Sequence, residues 1–176
     1  MPLIPTTRSR RIAAALAAAT ATMMLAATPA HATGATDAVC TERFNVTITP
    51  GFGLTPSSGT VSTGGETGSV SCVGKLDGHR ITGNGSIGFD EQYTGNCTSD
   101  ASTGTLRATI PTTAGRQQLV GTFTQRRTAL VFTVDVRFPS SRYHGIGVVI
   151  PTQGTCLLTP LRQAALLVTG PLRGPS

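Results

Sequence analysis

The 176-residue chain carries 14 Lys and Arg against 8 Asp and Glu, but Arg8, Arg10 and Arg11 lie in a leading segment that holds no acid, which leaves 11 cations, 8 acids and a net charge of +3 for the rest. So small an excess on an exported chain argues against nucleic acid as the partner. Val, Ile, Leu and Phe make up 35 of the 144 residues after position 32, above the level of a disordered chain, so a single β-rich extracellular domain is expected over 33–176.

Residues 1–32 read as a signal peptide. The three arginines precede an uncharged run from Ile12 to Pro29 that closes on Ala30-His31-Ala32, the small-x-small pattern of a cleavage site. Ser9-Arg10-Arg11-Ile12 is a partial twin-arginine pattern, ranked below ordinary secretion. Cys40 lies eight residues past the cleavage site, too far for lipidation, and no later stretch reaches the length of a membrane span. The expected product is secreted, soluble and begins at Thr33.

From there on, short period-2 segments alternate with Gly, Pro, Asn and Asp breakers. Phe44, Val46 and Ile48 share one face of a first strand, and Leu106, Ala108 and Ile110 share one face of another. The clearest strand, TALVFTVDVRF, sets Leu130, Phe132, Val134, Val136 and Phe138 against Val131, Thr133, Asp135 and Arg137. Weaker segments near 59–63, 68–76, 80–93, 117–126 and 144–150 bring the total to about eight. With no helix to carry parallel crossovers, an all-β antiparallel sandwich or barrel stapled by disulfides is expected. The C-terminal TPLRQAALLVTG fits a helix capped at Thr159 or a last strand; the strand is favoured because Gly170-Pro171 ends it and the first strand needs a partner.

Between Cys72 and Cys97 the chain reads as two strands about a turn at Asp77-Gly78-His79. Its in-strand glycines, Gly83, Gly85 and Gly88, point to close backbone approach and therefore to scaffold rather than site. The order of Cys40, ITPGFGLTPSSGTVS, SCVGKLDGHRITGNGSIG, a third cysteine and a late GTC resembles small secreted β-rich proteins of unknown function from actinobacteria. The resemblance implies fold and secretion and carries over no catalytic residue. Four cysteines in an exported chain imply two disulfides with three possible pairings. The nested one, Cys72 to Cys97 and Cys40 to Cys156, closes the shortest inner loop and is the expectation.

Candidate chemistry is sparse. Asp90 and Glu91 are adjacent, so on a strand they face opposite ways and read as a solvated strand end. His79 and His144 lack any nucleophile motif, and with no C-x-x-C a metal site is not expected. No catalytic, cofactor-binding or metal-binding residue is assigned. The sequons at Asn45, Asn84 and Asn96 are read as chance matches.

Arg126, Arg127, Arg137, Arg142 and Tyr143 form the strongest basic and aromatic concentration and are the candidate binding surface. The expected function is a secreted, non-catalytic binding or interaction domain whose partner is an envelope polyanion or another secreted protein. The alternatives are a secreted hydrolase using His79, Asp90, Glu91 and His144, and a protease-inhibitor-like presenter of the loop at 139–145.

Overall fold

The computed structural model describes residues 35–174; the expected signal peptide at 1–32 lies outside them. Within them the chain is all-β: β1 (Asp37–Phe52), β2 (Ser57–Ser62), β3 (Gly68–Leu76), β4 (His79–Arg80), β5 (Gly85–Gly95), β6 (Ser99–Thr112), β7 (Gly115–Thr128), β8 (Val131–Arg137), β9 (Arg142–Gln153) and β10 (Leu161–Arg173). Every pairing is antiparallel, and β10 returns to pair with β1.

The ring has eight places. β2 and β3 lie end to end, both between β1 and β5: Thr47–Thr49 pair with Thr60–Ser62, whereas Asp37–Arg43 pair with Ser69–Lys75. The excursion at 63–67 that separates them is stitched by Thr63. Its amide donates to the Phe89 carbonyl at 3.1 Å, and the Phe89 amide donates to its hydroxyl at 3.0 Å. From β5 to β10 each strand pairs with the next along the chain, so the architecture is an up-and-down barrel. β4 is a two-residue flap on the end of β3.

Strict alternation fills the interior. β8, VFTVDVR, buries Phe132, Val134 and Val136 and exposes the residues between them. Eight strands enclose just enough space for side chains, and here Phe44, Phe89 and Phe123 occupy its middle. Their rings meet edge to face, with centroids 5.1 Å apart for the first two and 5.6 Å for the last two. Glycine makes the room: Gly104 and Gly147 face inward directly opposite Phe123 and Phe132, where a Cβ would strike the ring. Leu130, expected on the core face, is instead 52 % exposed, because the strand starts one residue later and Leu130 stands in the β7–β8 turn.

Gly85 and Gly88 lie where a Cβ would collide with the carbonyls of Thr109 and Gly65 respectively. Their segment is therefore scaffold built by close backbone approach. The C-terminal segment is a strand and supplies the missing partner of β1, but Gly170-Pro171 does not end it: both residues pair with β1 and the strand continues to Arg173.

All four cysteines are disulfide-bonded, but the nested pairing is overturned: the bonds are Cys40–Cys72 and Cys97–Cys156. Counting loop lengths along the chain misses what the ring does in space. Cys40 and Cys72 are direct cross-strand partners facing inward, while Cys97, after β5, and Cys156, after β9, meet over the end of the barrel opposite the start of β1 and the end of β10. Peptide mapping without reduction should recover one peptide pair joining Cys40 to Cys72 and another joining Cys97 to Cys156; a Cys72–Cys97 peptide would contradict the fold. On the chain-entropy model the bonds contribute about 3.5 and about 4 kcal/mol.

Candidate functional site

The candidate residues divide between the inside and the outside of the wall. Arg126, Arg137 and Arg142 face outward and are exposed, whereas Arg127 and Tyr143 face into the barrel and are buried. The five therefore do not share one surface. Period 2 is the reason: Arg127 is in phase with Leu119, Phe123 and Gln125, and Tyr143 opposes Val136.

Outside, the strands β6 to β10 form an open groove of about 900 Å³. Two cross-strand rows make it. Thr103, Thr124, Asp135 and His144 stand opposite one another in one row, and Thr105, Thr122, Arg137, Arg142 and Arg173 in the next. The His144 Nδ1 lies 2.7 Å from the Asp135 carboxylate, and Arg173 pairs with Asp37. Arg137 and Arg142 are directly opposite and make no ion pair among the described residues. Like charges placed directly opposite destabilise a sheet. Arg126 sits on the other side of the first row, beside Ala101 and Thr133 and two rows from Arg137.

Inside, the polar groups form a second set. Glu42 is fully buried in phase with Cys40 and Phe44, and burial pushes its carboxyl up to about 8. The nearby Tyr143 phenol relieves little of this, since it stands outside hydrogen-bonding geometry, and burial likewise drives its own ionisation upward. Glu91 is also raised to about 8, by burial first, with the Ser102 hydroxyl donating to it at 3.0 Å in partial compensation. Reading Glu91 as a solvated strand end is thus corrected: Asp90 takes the outer face and accepts from Ser62, while Glu91 points inward. Deeper toward the disulfide-closed end, Arg127 pairs with Asp100, both side chains almost wholly buried. The Arg127 guanidinium also donates to the carbonyls of Asn96, Cys97 and Ala129 at 2.6, 2.9 and 2.7 Å and lies 4.5 Å over the Phe52 ring.

Among the described residues, internal spaces of about 20 Å³ each lie between these groups, room for about one water apiece. In this conformation these side chains pack as a continuous core.

The residues that motivate a hydrolase do not converge. His79 lies exposed on the β4 flap, Asp90 on the outside of β5, Glu91 inside and His144 on the outside of β9. The Asp135–His144 pair lines the groove with Thr124 and Pro171, apart from His79 and Glu91. Sequence reasoning passed over Glu42, although its phase with the apolar face of β1 marks it as inward.

No family model matches the chain, and none of the curated proteins or solved structures compared with it is similar to it.

Proposed function

We propose that this protein is a secreted, non-catalytic binding domain that holds an anionic polymer of the cell envelope along the groove on β6 to β10. The observation that carries the reading is the juxtaposition of Arg137 and Arg142, two exposed guanidiniums opposite each other without an acid between them. Their mutual repulsion is relieved when a phosphate or carboxylate bridges them, and a planar guanidinium presents paired donors suited to such groups. The threonine hydroxyls of the same rows offer donors and acceptors to the sugar or polyol part of the polymer. Scattering of the four hydrolase residues over separate faces removes the support for an enzyme.

Replacing Arg137 and Arg142 together with Gln should weaken retention on a purified teichoic or uronic polymer roughly fivefold, the worth of two exposed charge contacts. Added salt should weaken the parent likewise, since such contacts are screened over about 8 Å at physiological ionic strength. Arg126→Gln, two rows from the pair, should have the smaller effect. Retention unaffected by both the double change and salt would eliminate the groove. Arg127 is unsuitable as a probe of this surface, since its side chain is inside.

A further inference from the structure

The end of the barrel away from the start of β1 and the end of β10 carries a different surface. Its four connections, at 53–56, 96–98, 129–130 and 154–160, contain no charged residue at all. What they expose is leucine: Leu54 at 57 %, Leu130 at 52 %, Leu157 at 74 % and Leu158 at 90 %. The opposite end, by contrast, bears Asp77 in the β3–β4 turn, His79 and Arg80 on β4, and the Arg173–Asp37 pair where β10 ends and β1 begins.

These leucines are held in place rather than left on loose loops. Cys97 accounts for most of it. Its amide donates to the Gly53 carbonyl at 2.8 Å, next to Leu54, and its sulfur is bonded to Cys156, next to Leu157. The amide of Cys156 in turn donates to the Thr159 carbonyl at 2.9 Å, closing a tight turn with Leu157 and Leu158 at its tip. Arg127 completes the lattice by joining Asn96 and Cys97 to Ala129, the neighbour of Leu130. A disulfide and a buried guanidinium thus fix four uncharged loops with their leucines facing outward.

We infer that this end docks on an anionic lipid surface, the leucine tips entering the interface and the neighbouring cations meeting the headgroups. Charge selects the occupant. Arg126 and Arg162 stand exposed just behind the tips, on the last turnward residues of β7 and the first of β10. The acid nearest this end, Asp100, is buried against Arg127, and the nearest exposed one on the adjoining β8, Asp135, is five residues from Leu130. An apolar tip with a cationic collar is the arrangement that combines burial at the acyl boundary with attraction to anionic headgroups. The leucine tips are separate from the groove, and although Arg126 lies between the two surfaces, the leucine changes touch no groove residue and so tell the two readings apart.

The test is cosedimentation of the disulfide-bonded protein beginning at Thr33, which contains every strand of the closed barrel, with vesicles of phosphatidylglycerol and phosphatidylcholine mixed, and with phosphatidylcholine alone. The protein should partition to the mixed vesicles and only weakly to the neutral ones. Leu157→Ser with Leu158→Ser should cut partitioning by more than about tenfold, given the apolar surface removed, while Val73→Ser, at an equally bare position (81 % exposed) toward the other end, should leave it unchanged. Arg126→Gln with Arg162→Gln should abolish the preference for phosphatidylglycerol. The inference is overturned if the leucine variant, with an unchanged melting curve, sediments like the parent, if neither vesicle binds, or if sedimentation velocity instead reveals a dimer that the leucine changes dissolve.

Discussion

The barrel should lose stability as pH rises from about 4.5 to about 8, the reverse of what an exposed, paired carboxylate would produce. Glu42 and Glu91 are held near 8 in the folded chain by burial and ionise at 4.5 when it unfolds. Below pH 4.5 both states hold the protons, so the contribution of these groups is fully present. Between the two values the unfolded state releases protons that the native state keeps, which favours unfolding, and above about 8 the loss is complete. At 1.36 kcal/mol for each unit the combined loss is several kcal/mol, of the order of the whole stability of a small domain. Glu42→Gln keeps the shape without the charge. It should raise the urea midpoint at pH 8 by about 2–4 kcal/mol equivalent and flatten the profile, while changing little at pH 4. A profile that rises with pH, or a Glu42→Gln variant less stable than the parent at pH 8, would show that the carboxyl is ionised and satisfied inside.

Arg127→Gln should be the most damaging single change. It strands the Asp100 carboxylate in the interior, where burial already raises its proton affinity against the pull of Arg127, and it frees three loop carbonyls at once. Breaking one side of a buried pair costs about 3–5 kcal/mol. Asp100→Asn should cost less, because the guanidinium keeps its carbonyl partners and its place over Phe52. Chemical denaturation at pH 7 measures both. Equal losses would mean that the ion pair, and not the carbonyl lattice, is what Arg127 contributes. An Arg127→Gln variant as stable as the parent would remove it from any structural role.

Alternation made most of the wall legible in the sequence. The inward faces of β1, β6 and β8 follow from Phe44, Leu106 and Phe132 and their neighbours two residues on, and the strand assignment of the C-terminal segment followed from the need of β1 for a partner. What was not legible has a common cause: each miss depends on which strand stands opposite which. Cys40 faces Cys72 only because β3 continues the line of β2 after the excursion at 63–67. Arg126 and Arg127 look like one basic cluster in the sequence, although period 2 alone sends one outward and the other into the ring. Glu42 went unnoticed and Glu91 was read as solvated because buried carboxylates are rare and polarity outweighed phase in the reading. The groove was legible only in part: Arg137 and Arg142 stand out together on either side of the β8–β9 turn, but they join Arg173 only when β10 docks.

That docking bears on how the molecule is made. From β5 onward each strand finds its partner a turn away, contacts that form early and at little entropic cost. Closure is the exception: Thr41 and Thr169, whose hydroxyls meet across the β1–β10 seam, are 128 residues apart in the chain. Until β10 arrives, the nascent sheet has two open edges, β1 on one side and β9 on the other, each able to recruit a strand from a neighbouring chain. The vulnerable interval in the life of this protein is therefore the wait for its final thirteen-residue strand, and a chain cut short before Leu161 would carry that hazard permanently.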